Sequence, residues 1–481
     1  MVKNPNAQAH GQIYFHDIGD YLSREEKLEK ISEVVSVNGI SDVNGWSNII
    51  PNEHNDWLNQ RDDSFYNFIE IGNKKDKQAI SLFTNYTRGL ETNRDAWCYN
   101  SSKDILTLKI NKTLDFYNSE VDRYHCSGMN CKIDDFINFD PKRISWNRGL
   151  KADLEKGRKY FFDSNNIKTA LYRPFCKQWV YQSNGINAYL NQIPKIFPDT
   201  DGQNLVIYIS GGGNSGRDFS AIITDVIPDL NMQHSGGQGF PLYLYESANS
   251  DLTEEDLFSQ KDLECGKVKA YKRHSAISEV GLKIFQDFYS INNINHEDIF
   301  YYVYGLLHSE DYRGRYADNL SKELPRIPCV KKAEDFFAFV KAGLELADLH
   351  LNYESVVPYK ATIDSGSIAY SQLGKEDFYV EKMKFAKRGE KDTVIYNSKI
   401  RIKNIPVEAY DYVVNGKSAL EWVMERQGVL THKDSGIVND ANDWAMEAMG
   451  NAKYPLELFL RVITVSLETQ KIVKGLPKLD I

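Results

Sequence analysis

Two neighbouring segments near the C-terminus alternate basic and apolar residues in a pattern that could bind phosphates. Residues 378–385 and 393–402 have the period of β-strands, and the polar residues 387–392 between them suit a hairpin turn. Strand side chains alternate between faces, so one face of this ribbon would be basic. Its basic residues are Lys382, Lys384, Lys387, Arg388, Lys399, Arg401 and Lys403. The face could hold a DNA backbone, but it also fits a solvated sheet face or an edge protected by lysines.

A second candidate lies closer to the N-terminus, in residues 87–97. Arg88, Asn93 and Arg94 are close together there. Arginine and asparagine are the side chains that read guanine and adenine edges through paired hydrogen bonds. They also cap turns and pair with acids, and Asp95 is adjacent. The segment therefore predicts either a contact with nucleic acid or a structural turn.

A glycine-rich segment, residues 211–216, has the spacing of a phosphate-binding loop and follows the apolar run 205–209. A loop that binds a dinucleotide or S-adenosylmethionine would open a helix that leads to a second parallel strand. Residues 219–228 are instead short, rich in β-branched residues and end in a proline. We therefore predict a hairpin turn, with a nucleotide site as the alternative.

The composition is that of a globular protein without overall positive charge. The chain has 481 residues, of which 42% are hydrophobic, and this is enough apolar material for two or three packed domains. The mean hydropathy is −0.49. The sequence predicts neither a membrane span nor a signal peptide, and its six cysteines suit a reducing cytoplasm. A net charge of −9 argues against coating nucleic acid with the whole surface, but it is compatible with a local basic cleft.

The spacing of apolar residues predicts an α+β fold of helices and antiparallel ribbons. A short strand at 12–15 precedes a helix that begins at Ser23, with Glu26 at capping-box spacing. The apolar stripe of that helix would be Leu28, Ile31 and Val35. Further helices are predicted at 296–308, at 334–350, after Pro406, after Ser418 and near Pro455. Arg173 precedes a proline, and we predict a packed corner in which its guanidinium pairs with a carboxylate.

Several blocks make the chain similar to a known family. Besides the ribbon they are TRGLETNRDAW at 87–97, LYRPF at 171–175, LPRIP at 324–328, ADLHLNYE at 347–354 and LRVITVSLET at 460–469. In this order they resemble the C-terminal region of type ISP restriction-modification enzymes. These bacterial proteins join a nuclease, a translocating ATPase, an adenine methyltransferase and a target recognition domain in one chain.

The resemblance implies a division of the chain and a function. Residues 1–78 would be the end of an α/β methyltransferase fold, and residues 79–481 the target recognition region. That region would consist of a mixed α/β part at 79–290, a helical part at 291–375, and the basic hairpin with its helices at 376–481. It would bind a specific site on double-stranded DNA for an adenine-N6 methyltransferase. Its partners would be the upstream methyltransferase and helicase-like domains, and the parent enzyme would use S-adenosylmethionine, ATP and magnesium.

The motifs of catalysis itself are not in this sequence. Adenine-N6 methyltransferases hold the flipped base with an Asp/Asn-Pro-Pro-Tyr/Phe turn, and the chain has no Pro-Pro pair. It also has no Walker A lysine loop and no nuclease cluster of paired acids with a lysine. His125, Cys126 and Cys131 lack a second pair at zinc spacing. We therefore expect no catalytic residue, cofactor site or metal site in this chain.

Two other functions fit parts of the sequence. A self-contained enzyme would bind S-adenosylmethionine at 211–216, and calorimetry with that cofactor would detect it. A protein-interaction module would dock on a translocase without binding DNA, and a gel shift would distinguish it.

Overall fold

Helices and short antiparallel strands alternate along the chain, which confirms the predicted α+β class. The computed structural model describes residues 11–19, 22–76, 78–128, 131–198, 203–211, 218–233, 236–247 and 271–481. The chain divides into two compact units, Met1–Phe65 and Tyr66–Ile481. None of the helices in the described ranges is long and apolar enough to cross a membrane.

The first unit contains a two-stranded ribbon and two helices. These elements are β1 (Ile13–Phe15), α1 (Arg24–Val34), α2 (Val37–Asp42) and β2 (Ser47–Ile49), with β1 and β2 antiparallel. The capping box predicted at Ser23 is confirmed. The Ser23 hydroxyl accepts from the Glu26 N–H at 3.2 Å, and the Glu26 carboxylate accepts from the Ser23 N–H at 2.7 Å.

The predicted apolar stripe of α1 faces solvent rather than a core. Leu28, Ile31 and Val35 are 53%, 55% and 87% exposed, and neither α1 nor α2 contains a buried residue. The reason is the size of the unit, because two helices and one two-stranded ribbon cannot cover each other's apolar faces.

The second unit begins with a mixed part built around two small sheets. Its elements are β3 (Ile69–Glu70), α3 (Asp95–Cys98), β4 (Tyr99–Asn100), α4 (Lys103–Cys126), α5 (Ile133–Phe136), α6 (Arg148–Glu155), β5 (Ile167–Arg173), β6 (Cys176–Tyr181), α7 (Ile193–Ile196), β7 (Val206–Ile209), β8 (Ala221–Thr224), β9 (Ile227–Pro228), β10 (Gln238–Pro241), β11 (Tyr243–Ser247) and β12 (Tyr271–Ser275). One sheet has the strand order β4-β6-β5-β9 and the other β10-β7-β8, while β11 and β12 form a separate ribbon.

The strands on either side of the glycine-rich segment form a hairpin. β7 and β8 are antiparallel, with Val206 opposite Thr224 and Ile209 opposite Ala221. A dinucleotide-binding loop would instead lead into a helix and a parallel strand. The flanking strands therefore agree with the predicted hairpin, although residues 212–217 themselves lie outside the described part of the chain.

Helices dominate the next part, where two of them approach closely. The elements are α8 (Glu279–Tyr289), α9 (His296–Leu306), α10 (Glu310–Arg315), α11 (Ala317–Leu320), β13 (Arg326–Ile327) and α12 (Ala333–Leu351), and β13 pairs with β3. α9 and α12 confirm the two helices predicted here. A Cβ atom on Gly343 would lie 1.9 Å from the Tyr301 carbonyl oxygen, and one on Gly305 would lie 2.4 Å from that of Phe339. The two glycines thus allow the helix backbones to touch.

Gly343→Ala should therefore destabilise the protein by about 1–3 kcal/mol, because the added methyl group forces α9 and α12 apart. Urea unfolding measures the loss. Gly314→Ala is the matched control: Gly314 is in α10, and a Cβ atom there would meet nothing within 4 Å. Alanine favours helix over glycine, so the control should be neutral or stabilising. Equal stability of the two variants would contradict this account of the helix contact.

The C-terminal part carries the basic ribbon. Its elements are β14 (Thr362–Asp364), β15 (Lys384–Lys387), β16 (Glu390–Ile395), β17 (Arg401–Lys403), β18 (Val413–Val414), β19 (Lys417–Ser418), α13 (Ala419–Arg426), β20 (Val429–Thr431), β21 (Val438–Asp440), α14 (Ala441–Glu447) and α15 (Tyr454–Lys474). The helices predicted after Ser418 and near Pro455 are confirmed as α13 and α15. After Pro406 the chain makes only a short 3-10 turn, Val407–Tyr410.

The ribbon has more strands than predicted. A hairpin of β15 and β16 is present, but the predicted second strand is two strands, β16 and β17, in a sheet of order β14-β17-β16-β15. The chain reverses between them because the Asn397 side chain accepts from the N–H groups of Lys399 and Ile400, at 2.9 and 2.8 Å. Phe378 lies in a 3-10 turn rather than in the first strand. The predicted alternation holds in β17, where Arg401 is exposed and Ile402 is buried.

One hydrophobic cluster joins the mixed part and the C-terminal part of the second unit. Leu171 of β5, Phe175 of the β5–β6 turn and Tyr208 of β7 come from the mixed part. They pack in the same cluster as residues of the ribbon, α13 and α15, among them Val394, Ile400, Ile402, Trp422 and Phe459. The ribbon is thus fixed to the body of the second unit by its apolar face.

Candidate nucleic-acid interface

Residues 87–97 are held in place by backbone contacts with two strands. The Leu90 N–H donates to the carbonyl of Pro228, and the Thr87 N–H to that of Gly239, both at 2.8 Å. Gly89 has φ +90°, and a Cβ atom there would lie 2.7 Å from the Pro228 carbonyl oxygen. Glycine is therefore required both for the backbone angle and for the close approach.

The tip of this segment is a tight corner at residues 92–95. The Thr92 hydroxyl donates to the Asp95 carboxylate and accepts from the Arg94 N–H at 3.2 Å. Asn93 is exposed and has φ +53°, a left-handed conformation that asparagine tolerates better than most residues. Asn93 thus has a structural reason to be at the tip and still presents its amide outward.

A buried lysine of α4 binds the backbone that directly follows this corner. Lys109 of α4 donates to the carbonyl oxygens of Ala96 and Tyr99, at 2.7 and 3.0 Å. Burial lowers the pKa of Lys109 to about 8. The backbone that follows Arg94 is therefore fixed by an ammonium group as well as by the short helix α3.

Arg173 links the corner to Asp229, which directly follows β9. Its guanidinium lies 2.6 Å from the Asp229 carboxylate and 3.4 Å from that of Asp95. This confirms the prediction that Arg173 pairs with a carboxylate. Burial raises the pKa of Asp229 to about 7, although Arg173 favours its ionised form.

Two adjacent cavities meet at this corner. The first, of about 540 Å³, is called the ribbon cavity because it lies between Asp95 and Ala96 on one side and residues 382–385 on the other. The second, of about 740 Å³, is called the Arg94 cavity and is lined by residues 92–97, Phe139, Trp146, Asn231 and Lys433 among others. Both are lined by Asp95, Ala96, Tyr172 and His432. The two segments singled out from the sequence thus converge on one surface.

The predicted basic residues differ in how they meet this surface. Lys382 and Lys384 are exposed and line the ribbon cavity, while Asn93 and Arg94 line the Arg94 cavity. The remaining predicted residues line neither: Arg88, Lys387, Arg388, Lys399, Arg401 and Lys403.

Three of the residues outside the cavities are paired with acids of this chain. Lys387 pairs with Glu390, Lys399 with Asp377, and Lys403 with Asp364 at 2.7 Å. Their charges are partly compensated. The ribbon is thus less basic than its sequence alone suggests.

The ribbon cavity also has side chains that the sequence did not single out. Gln178, Arg426, His432 and Asn439 line it, and the Asn439 amide donates to Gln178 at 3.2 Å. The acids there are engaged as well, since Glu425 lies 2.7 Å from Arg426 and Glu421 accepts from the Ser418 hydroxyl, also at 2.7 Å. Gln178 is about 250 residues away in sequence from the other three, so no local pattern could have shown that they share a cavity. Amide, guanidinium and carboxylate groups are those that read base edges.

An α+β fold with two adjoining cavities, lined by basic, acidic and amide side chains, defines a polar surface at this corner. The family model for the Type ISP C-terminal specificity domain matches residues 81–458. The chain belongs to this family, as its resemblance predicted. No match was found among curated proteins.

Three solved structures are similar to the chain. The ATP-dependent Type ISP restriction-modification enzyme LlaBIII bound to DNA has a TM-score of 0.83 and 36% identity, with 100% of this chain and 28% of that chain covered. A nuclease-deletion mutant of the Type ISP enzyme LlaGI with a DNA substrate mimic has a TM-score of 0.81 and 35% identity, covering 99% and 40%. The DrdV–DNA complex has a TM-score of 0.75 and 28% identity, covering 94% and 42%. The chain thus spans less than half of each protein.

Proposed function

We propose that this chain is the target recognition region of a type ISP-like restriction-modification enzyme and binds a specific site on double-stranded DNA. The observation that carries the proposal is the convergence of the 92–97 corner and residues 382–385 of the ribbon on adjoining cavities. The similar enzymes LlaBIII and LlaGI were solved with DNA or a DNA mimic, which supports the same function here. Exposed cations would hold phosphates, and the polar groups in the ribbon cavity would select the bases.

The rest of the parent enzyme enters this proposal as the chain's partner. We propose that residues 1–78 complete a methyltransferase fold whose other strands and catalytic motifs lie outside this sequence. The exposed Leu28, Ile31 and Val35 support this, because such a face is covered when a larger α/β domain packs on it. The parent enzyme would act on DNA in the cytoplasm with S-adenosylmethionine, ATP and magnesium, and helicase-like domains would be further partners.

The proposal predicts that Lys382→Ala with Lys384→Ala weakens binding to all duplexes. Both lysines are exposed at the cavity mouth, so their loss removes phosphate contacts rather than base contacts. Each lost contact should reduce the slope of log affinity against log salt by about 0.9. Fluorescence anisotropy with labelled duplexes at several salt concentrations measures both effects.

The matched control is Lys399→Ala with Lys403→Ala. It removes the same charge, but these lysines are paired with Asp377 and Asp364 and line neither cavity. The control should keep most of the wild-type affinity. If the Lys382 and Lys384 variant stays folded and matches the wild-type slope, the ribbon is only a solvated face.

A further inference from the structure

Arg94 is a buried charge without a partner. The residue is only 6% exposed. None of its three guanidinium nitrogens has a hydrogen-bond partner in the described part of the chain. An arginine keeps its charge in a protein, and burying an unpaired charge is costly. Such a group calls for an anion that the described residues do not supply.

Two of the three acids that line the cavity, Asp95 and Asp229, are already engaged, and the third, Asp434, is exposed on the lining. The Asp95 carboxylate accepts from Thr92, from the Tyr172 hydroxyl at 3.3 Å and from Arg173 at 3.4 Å. Asp229 accepts from Arg173 at 2.6 Å and from the Asn231 N–H at 2.8 Å. Burial also raises the pKa of the Cys98 thiol to about 12, so that this group is neutral.

The Arg94 cavity has room for the missing anion. Its volume of about 740 Å³ is in the range of pockets that hold ligands of nucleotide size. Lys433 is exposed on its lining, and Asn231 contributes an amide. Phe139 and Trp146 add aromatic rings on which a base can stack.

Burial also decides how Arg94 can meet DNA. A side chain that reads base edges in the major groove must project from the protein surface. Arg94 lines the cavity, but its guanidinium nitrogens have almost no accessible surface, so a ligand group has to enter the cavity and the side chain has to turn toward it before the two can meet. The sequence alone allowed a groove-reading role for Arg94, and its burial favours an entering anion instead.

We propose that the Arg94 cavity binds a phosphate group of nucleic acid and that this phosphate completes the hydrogen bonds of Arg94. The inference rests on the proposed DNA-binding function and adds a site to it. The phosphate can belong to the duplex backbone or to a nucleotide rotated out of the duplex, and the guanidinium would hold either through paired hydrogen bonds.

Arg94→Met tests this site, because methionine keeps the length and apolar stem of the side chain but removes the charge. Without ligand, the variant should melt at or above the wild-type temperature, since it lacks the unpaired buried charge. Inorganic phosphate and a nucleoside monophosphate should raise the melting temperature of the wild type but not of the variant. Duplex affinity should fall by at least about tenfold, the effect of losing one charge-assisted contact. Arg158→Met is the control, because Arg158 is exposed and pairs with Asp153 outside the cavity.

Duplexes with and without one unpaired nucleotide distinguish the two sources of phosphate. Tighter wild-type binding to the duplex with the unpaired nucleotide, lost in Arg94→Met, assigns the site to an extrahelical nucleotide. Equal binding to both duplexes, with an equal loss in the variant, assigns it to the backbone. Arg94→Lys keeps the charge and should retain part of the response to phosphate, which preserves the test if the methionine variant does not fold.

Two results would overturn the inference. One is a folded Arg94→Met protein with wild-type affinity for every duplex and a wild-type response to phosphate. The other is a wild-type melting temperature that no phosphate compound changes, combined with duplex binding that depends only on Lys382 and Lys384. That second result would remove the phosphate site but leave the proposed DNA-binding function intact. If the wild type binds no duplex, the proposed function fails, and the response to free phosphate alone decides whether the cavity is an anion site.

Discussion

Arg173→Met should lower the free energy of unfolding by about 3–5 kcal/mol, because it leaves one partner of a buried ion pair alone. Asp229 is 1% exposed, and its carboxylate lies 2.6 Å from the Arg173 guanidinium. The same guanidinium contacts Asp95, so the variant should also lose DNA affinity as the 92–97 corner loosens. Urea unfolding and anisotropy on the same samples measure the two effects.

The loss should depend on pH. Burial raises the pKa of Asp229, and removing Arg173 takes away the group that favours its ionised form, so the pKa of Asp229 rises further. In the folded variant Asp229 then stays protonated at a pH where the same carboxyl group has already lost its proton in the unfolded chain. The variant should therefore be less destabilised at pH 6 than at pH 8.5.

Two further variants identify the buried pair as the cause. Arg158→Met breaks an exposed pair with Asp153 and should change stability by no more than about 1 kcal/mol. Arg173→Met combined with Asp229→Asn removes both charges and should be more stable than Arg173→Met alone. If the loss of unfolding free energy in the double variant equals the sum of the losses in the two single variants, the ion pair is not what stabilises this corner.

His308→Gln should make the protein less sensitive to acid. His308 is 4% exposed, and burial lowers its pKa to about 4, with Arg313 acting in the same direction. As the pH decreases from about 6.5 to about 4, the unfolded chain takes up a proton at this histidine that the folded chain excludes. The free energy of unfolding therefore decreases as the pH decreases over this range. From pH 7 to pH 5 this histidine should cost the wild type about 2 kcal/mol, and the variant should escape that loss.

The measurement is the difference in unfolding free energy between variant and wild type at the two pH values. Taking a difference matters because Asp229, with its raised pKa, acts in the opposite direction in both proteins. Glutamine can still donate to the Tyr304 carbonyl, which His308 contacts at 2.8 Å. A constant difference between His308→Gln and wild type would show that His308 does not titrate as described.

The elements of the fold were predictable where local signals were strong. Ser23 with Glu26 and Ser418 with Glu421 place helix starts through capping boxes, and both boxes are formed. The break between β16 and β17 was missed, because it depends on the Asn397 side chain folding back on its own backbone. The strand pattern of residues 393–402 continues through that turn and conceals it.

The candidate site was predictable only in part. The types of Asn93, Arg94, Lys382 and Lys384 indicated polar recognition, but the contribution of Gln178, Arg426 and Asn439 depends on tertiary packing. Burial was the other unknown. The sequence treats Arg88 and Arg94 alike, whereas the structure exposes the first and buries the second.

The shared hydrophobic cluster limits how such a protein can be redesigned. Val394 and Ile402 of the ribbon belong to the same cluster as Leu171 and Tyr208 of the mixed part, so the ribbon cannot be exchanged on its own. A chimaera that takes only residues 376–403 from a relative would combine two half-cores shaped for different partners. A new target preference is therefore more accessible through the exposed side chains at the cavity mouths, or through exchange of the whole second unit, Tyr66–Ile481, as one block.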